Sequence, residues 1–210
     1  MVAAFQAAML TTLPALVRAE NWSMLALTLV VMATVLSPAA ARPWAPLRLP
    51  VSLEMGLVAF VFGALFLGEV WDLYNRLHWW DMALHGSSGV LFSLVGLPLA
   101  YSLERQHGRT ELAPRVAFLF AVMFAMSIGT FWEIFEFALQ NLSGLPIQVP
   151  QMSDWNGLAD TMWDMILNAA GAILVALYGW FRFHPGSNRS VPAWVARFMS
   201  ENPRFLVPEM

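Results

Sequence analysis

Five apolar stretches of about twenty residues constrain this chain more than any other feature of its sequence. They occupy residues 21–39, 51–69, 80–103, 116–140 and 158–180. A helix needs about 20 apolar residues to cross the roughly 30 Å of hydrocarbon in a bilayer. Such a helix also satisfies its backbone hydrogen bonds internally, as the lipid interior requires. The pattern therefore predicts an all-α, polytopic membrane helix bundle with at least five transmembrane helices.

The N-terminal segment adds a sixth, shorter apolar stretch. Residues 2–17 contain Pro14 and either span the membrane or lie in its interface. No basic residue precedes the stretch, so it does not have the form of a cleaved signal peptide. We expect five to six transmembrane helices, and we favour six.

The C-terminal segment has the pattern of a surface helix. Within residues 191–200, Trp194, Val195, Phe198 and Met199 fall on one helical side and Arg197 on another. This pattern predicts a short interfacial amphipathic helix lying on the membrane surface. We expect residues 1–182 to form a single transmembrane bundle and residues 183–210 to form a cytoplasmic tail that carries this helix.

Composition agrees with a membrane protein and excludes several functions. Apolar residues make up 59% of the chain and charged residues 12%, whereas a soluble domain averages about 45–50% and about 25%. A net charge of −3 without a basic patch excludes a nucleic-acid-binding protein. The absence of cysteine and lysine excludes disulfides, thiolate metal sites and Schiff-base chemistry. The sequence also carries no haem, flavin or nucleotide signature.

The distribution of arginine predicts the orientation, since basic residues concentrate in cytoplasmic loops. Alternation of the helices places nine of the eleven arginines on one side, against Arg18 and Arg76 on the other. We therefore expect a multi-pass protein of the bacterial inner membrane with a cytoplasmic C-terminus. The nine are Arg42, Arg48, Arg105, Arg109, Arg115, Arg182, Arg189, Arg197 and Arg204.

Three of the apolar stretches each carry one pair of polar residues. The members of each pair are three or four residues apart, which places them on one helix face. With the predicted orientation and a rise of about 1.5 Å per residue, all three pairs lie in roughly the outer third of the membrane. The six residues are Asp81 and His85, Glu133 and Glu136, and Asp160 and Asp164.

Carboxylates inside a membrane need compensation, because each aspartate costs about 2.5–3.5 kcal/mol to insert. The five acids of these pairs are either protonated and hydrogen-bonded, hydrated in an outward cavity, or bound to a cation. Oxygen ligands with one imidazole suit Mg²⁺, Mn²⁺, Ca²⁺, Zn²⁺ or Fe²⁺. The pattern predicts a divalent metal site of unspecified identity, with a protonated packing network as the alternative.

Other small and polar residues of these helices indicate packing. Gly89, Gly96, Gly129 and Gly171 are predicted to let helices approach closely. Ser88 is expected to bond to its own backbone. Asn168 either supports the polar site from below or links helices, and the sequence leaves both roles open.

The ordered motifs resemble those of the YjdF-like family of bacterial inner-membrane proteins. The resemblance covers about residues 55–180 and implies a small multi-helix membrane protein, with no particular activity attached. All six polar residues occupy motif positions. The motifs are Asp81-x-x-x-His85 (DxxxH), Glu133-x-x-Glu136 (ExxE) and Asp160-Thr-Met-Trp-Asp164-Met (DTxxDM).

Three functions fit this pattern, and the sequence leaves open whether the protein is an enzyme. The first is a metal-dependent hydrolase or transferase acting on a membrane lipid or a lipid-linked small molecule. There His85 is a ligand or acid–base group, and Glu136 is a candidate base. The second is a cation or proton transporter that uses the carboxylates as its binding site. The third is a non-catalytic assembly or lipid-interaction protein in which the acids only pack.

Overall fold

A computed structural model describes residues 1–41, 44, 48–106, 112–143, 158–182 and 192–202 of the 210-residue chain. The secondary structure of these residues is helical, as the apolar pattern predicted. The described residues fall into two compact units, Met1–Leu84 and His85–Met210.

The first unit is built from three apolar helices and a short fourth one. Helix α1 is Val2–Arg18, α2 is Trp22–Ala41, and α3 is Val51–Val61, which continues as a π-helix over Phe62–Val70. Helix α3 begins after its N-cap residue Pro50, which has an extended backbone with ψ 137° and no N–H group to satisfy. The short helix α4, Leu73–Arg76, follows at once.

The core of the first unit lies where α1, α2 and the π-helix meet. Met9, Val31 and Phe66 are fully buried there. The rings of Phe5 and Phe62 stack with centroids 4.0 Å apart. The π-helix was not expected from the sequence, since its residues continue the apolar pattern of α3 without a break.

The second unit contains the longest helices. Helix α5 is Trp80–Gln106 and enters this unit at His85, α6 is Pro114–Ser143, and α7 is Leu158–Arg182. Helices α6 and α7 pack along each other. A further helix, α8, is Ala193–Glu201.

Five helical segments in the described part of the chain are long and apolar enough to cross a membrane. Helix α1 is apolar but has only 17 residues and is shorter than these five. Five candidate spans are therefore confirmed, and a sixth span through α1 stays a prediction. The five segments are Trp22–Ala40, Val51–Val70, Trp80–Leu103, Pro114–Leu139 and Leu158–Arg182.

Glycines bring α5 and α7 together. A Cβ atom on Gly89 would overlap the backbone carbonyl of Asn168, and one on Gly171 would overlap the carbonyl of Gly86. The two backbones are therefore in direct contact, at a spacing that a larger residue would prevent. The prediction that Gly89 and Gly171 permit close helix approach is confirmed.

Helix α8 forms where the amphipathic pattern predicted it, but its apolar face is buried against protein. Val195 is fully buried in a cluster with Leu97, Tyr101 and Phe118, and Trp194 packs against the same cluster. This face was expected to lie on the membrane surface. The structure packs it on the end of α5 and the start of α6, which present an apolar surface of their own. The position of α8 at the membrane surface stays a prediction.

Several predictions concern residues outside those that the structure describes. Arg42, Arg109, Arg189 and Arg204 lie there, as does most of the tail at 183–210. The orientation derived from arginine therefore stays a prediction. So does the division into a bundle at 1–182 and a cytoplasmic tail.

We predict that Gly171→Ala destabilises the protein while Gly86→Ala does not. The Cβ added at position 171 would force α7 away from the Gly86 carbonyl, and overpacking of this kind costs about 1–3 kcal/mol. A Cβ on residue 86 meets only the Leu167 carbonyl oxygen at 4.0 Å, an ordinary contact. Thermal unfolding in detergent should show a lower Tm for the first variant alone. Equal Tm values for the two variants would contradict the close α5–α7 contact.

We also predict that Val195→Asp detaches α8 whereas the neighbouring Ala196→Asp leaves it in place. Val195 is fully buried, so the variant places an unpaired carboxylate in an apolar cluster at a cost of several kcal/mol. Ala196 is exposed. Limited proteolysis in detergent measures the result: cleavage before α8 should accelerate in Val195→Asp only. Identical cleavage of both variants would argue that α8 is not packed on the bundle.

Candidate functional site

The polar residues of α5, α6 and α7 meet at one buried position in the second unit. His85, Glu133 and Asp164 retain 8%, 5% and 2% of their accessible surface. The Nδ1 atom of His85 lies 3.7 Å from Oε1 of Glu133, and its Nε2 atom lies 3.9 Å from Oδ2 of Asp164. One imidazole ring thus stands between a carboxylate of α6 and a carboxylate of α7.

The glycine contact explains why His85 and Asp164 come together. Gly89 follows His85 by four residues, and Asn168 follows Asp164 by four. Gly89 rests against the backbone of Asn168, so one turn back along each helix leads to His85 and Asp164 respectively. The same step along α6, in the opposite direction, leads from Gly129 to Glu133.

Asn168 lies directly beneath this site and joins the three helices. It is 1% exposed. With its amide oriented to satisfy every neighbour, its NH₂ donates to the Ala125 carbonyl of α6 at 3.2 Å. Its oxygen then accepts from the Gly89 N–H at 3.3 Å and from the Ser88 hydroxyl at 2.8 Å on α5. Gly129 leaves the space, since a Cβ there would come within 2.8 Å of the Asn168 Cγ. Asn168 is therefore an interhelical link, which answers the question that the sequence left open.

Ser88 also has a contact that the sequence did not predict. Its hydroxyl lies 2.7 Å from the His85 carbonyl, the predicted backbone partner, and 2.8 Å from the Asn168 amide. The hydroxyl has one proton, so it donates to one of these two acceptors at a time. Asn168 sits four residues beyond Asp164, and Ser88 sits three beyond His85. Helical spacing could have indicated that each lies under a site residue, but only the packing of α5 on α7 shows that they meet.

Asp81 extends the site along α5. It lies four residues before His85 on the same continuous helix and is half-buried. Asp81, His85 and Asp164 each offer one ligand atom, and these three atoms lie within 4.8 Å of one another. A grouping of this kind could hold a metal ion. Two atoms bound to one ion at the 2.3–2.6 Å typical of Ca²⁺ lie at most about 5 Å apart. Ligands of Zn²⁺, at about 2.0–2.2 Å, would have to close by up to about 1 Å.

Three predicted site residues, Glu133, Glu136 and Asp160, are not in that grouping. Asp160 is buried in the first turn of α7, where the positive end of the helix dipole favours a carboxylate. Glu136 is half-buried, and its Oε1 accepts a hydrogen bond from the indole N–H of Trp132 at 2.8 Å. Metal binding by either residue stays a prediction.

Three charged residues of the first unit, Glu69, Asp72 and Arg76, are more exposed than the buried site residues. Glu69 is exposed and lies near Asp72 and Asp81. The Nε atom of Arg76 lies 3.8 Å from Oδ2 of Asp72, four residues before it. Asp72 has a left-handed backbone with φ 61° and also accepts a hydrogen bond from Asn75.

We predict that Asn168→Leu destabilises the bundle more than Asn141→Leu. The first change removes the buried hydrogen bonds that join Asn168 to the Ser88 hydroxyl, the Gly89 N–H and the Ala125 carbonyl, at a cost of about 0.6–3 kcal/mol. Asn141 is exposed and donates to the Phe137 carbonyl of its own helix. The Tm of thermal unfolding in detergent measures both. A smaller loss for Asn168→Leu than for Asn141→Leu would contradict the linking role.

Comparison with known proteins agrees with the helical architecture. A family model described as "Predicted membrane protein (DUF2238)" matches residues 1–185. An "Uncharacterized protein" of Thermotoga maritima is 25% identical over 129 residues, which is 61% of this chain and 62% of the relative's length. No solved structure gives a significant match. The resemblance to the YjdF-like family is not confirmed by these matches.

Proposed function

Because the chain belongs to the DUF2238 family of predicted membrane proteins, we propose that it is a multi-pass membrane protein that binds one divalent cation within its helices. The proposed ligands are Asp81, His85 and Asp164. The observation that carries the proposal is the grouping of their ligand atoms within 4.8 Å of one another. Oxygen and imidazole ligands of this kind suit a divalent ion of intermediate to hard character.

The charge balance of these helices supports a cation. The arginines that α5, α6 and α7 contain stand at the opposite ends of those helices, at positions 105, 115 and 182. At 1.5 Å per residue they are about 27–30 Å along the helix from His85, Glu133 and Asp164. The buried carboxylates are therefore far from the fixed positive charges of their own helices. A divalent ion would supply that charge where the carboxylates are most buried.

A bound cation would give the site a chemical capability. It lowers the pKa of a bound water and polarises carbonyl or phosphoryl oxygens. We propose that the substrate is a membrane lipid or a lipid-linked small molecule and that the reaction is hydrolysis or group transfer. Glu136, one turn from Glu133 on α6, remains the proposed acid–base group. The proposed setting is the bacterial inner membrane with the C-terminus in the cytoplasm.

A packing role is the second candidate, and the Asn168 link favours it. Asn168 already holds α5, α6 and α7 together directly beneath the acids. A protonated network of His85, Glu133 and Asp164 could extend that link by one turn without any ion. Metal content distinguishes the two functions, because only the first requires a cation.

We predict that purified wild-type protein binds about one equivalent of a divalent metal and that Asp164→Asn loses it. The variant removes one of three protein ligands, so its affinity should fall by more than the roughly 10–100-fold that loss of an outer partner costs. Elemental analysis by ICP-MS of detergent-purified protein, after incubation with Mg²⁺, Mn²⁺, Ca²⁺ or Zn²⁺, measures the content.

The matched control for this measurement is Asp72→Asn. Asparagine tolerates the left-handed backbone of that position, and Asp72 lies outside the proposed ligand set. This control should keep its metal. A wild-type protein that stays metal-free in all four cations would overturn the cation-binding function and leave the packing role.

A further inference from the structure

We infer that Glu133 is a positioning residue, which accepts the Nδ1–H of His85 and thereby directs the Nε2 lone pair toward Asp164. This inference rests on the proposed cation site and deepens it. The sequence grouped Glu133 with the metal ligands because it falls on the same predicted polar layer. The structure assigns it a different place around the imidazole ring.

The two carboxylates face different nitrogens of the imidazole ring. Glu133 faces Nδ1 at 3.7 Å, and Asp164 faces Nε2 at 3.9 Å. The two ring nitrogens point in divergent directions, so an ion held by Nε2 lies away from the carboxylate that faces Nδ1. Asp164 belongs to the grouping that could hold a metal, and among the described residues that grouping does not include Glu133.

The single proton of a neutral imidazole decides which ring nitrogen can bind a metal. A neutral ring has one N–H donor and one lone pair, and a metal takes the lone pair. The nitrogen that faces Glu133 is therefore the one that must carry the proton if Nε2 is to bind a cation beside Asp164. Metal-binding histidines commonly donate their other N–H to a carboxylate, which sets the tautomer and the ring orientation.

Burial of both side chains favours a hydrogen bond between them. The side chains of His85 and Glu133 are 10% and 5% exposed, and a hydrogen bond is electrostatically stronger in such surroundings than in water. A normal N–H···O distance is about 2.7–3.2 Å, so the pair needs to close by about 0.5–1.0 Å. The Asn168 link one turn below joins α5 to α6, so we expect this closure to take place by movement of the two side chains.

The experiment reads the tautomer of His85 directly, without metal. Full-length protein is labelled with ¹⁵N-histidine and reconstituted in lipid nanodiscs, and its ring nitrogens are observed by NMR at alkaline pH, where imidazole is neutral. The chain has four histidines, and the signals lost in His85→Asn identify those of His85. The compared variants are Glu133→Met, which removes the acceptor, and Glu133→Gln, which keeps a carbonyl acceptor.

We predict that His85 in the wild type carries its proton on Nδ1 and that Glu133→Met moves it to Nε2. Glu133→Gln should retain the wild-type tautomer, because the Gln oxygen still accepts the bond. Glu54→Met is the matched control: Glu54 lies in the first turn of α3, and this variant should leave the His85 signals unchanged. In metal titrations, Glu133→Met should weaken binding about 10–100-fold while its limiting stoichiometry stays that of the wild type.

The tautomer tests the role of Glu133, and metal binding tests the cation site, so the two can fail independently. A wild-type ring with its proton on Nε2, a ring protonated on both nitrogens at alkaline pH, or a tautomer unaffected by Glu133→Met would overturn the role of Glu133. If Glu133→Met does not fold, the wild type and Glu133→Gln still decide it. A protein with the Nδ1–H tautomer that binds no metal would uphold the hydrogen bond and reject the cation-binding function instead.

Discussion

The direct backbone contact between α5 and α7 is the constraint on which the second unit depends. Gly89 and Gly171 provide it, because each lies where even a methyl group would overlap the facing helix. Apolar side chains gain little from leaving lipid for protein, so membrane helices associate through close packing and hydrogen bonds. The contact between α5 and α7 supplies the close packing directly. It also makes hydrogen bonds between the helices possible, since it brings the backbone N–H of Gly89 and the Ser88 hydroxyl within reach of Asn168.

Helices α5, α6 and α7 carry two adjacent layers of residues: one that links the helices and one that contains the candidate site. The lower layer contains Gly89, Gly129 and Asn168. The upper layer lies four residues away along each helix and contains His85, Glu133 and Asp164. The lower layer satisfies its polar groups internally. The upper layer brings two carboxylates to opposite sides of one imidazole at distances beyond those of a hydrogen bond. A binding site requires a supporting layer that holds its polar groups in place, and the hydrogen-bonded lower layer lies where such support is needed.

The sequence predicted the helices well because their signal is local. Twenty apolar residues in succession specify a helix that can span a membrane whatever its neighbours are. It predicted α8 equally well but not the partner of its apolar face. Amphipathicity shows that Val195 must avoid water, and both lipid and the apolar ends of α5 and α6 would satisfy that need. The sequence did not predict the π-helix at Phe62–Val70, because its residues are as uniformly apolar as those of α3 and so give no sign of a change in helix type.

By itself, then, the sequence determined the helical class, the candidate spans and the six polar residues at helical spacing, all of which follow from the order of residues along single helices. The tertiary structure decided which of those residues meet. It placed Asp81, His85 and Asp164 in one grouping, set Glu133 against the other nitrogen of the ring, and paired Glu136 with Trp132. Spacing along a helix gives the face on which a side chain lies. The rotation and depth of each helix against its neighbours depend on glycine contacts and on the Asn168 link, which join residues far apart in the chain.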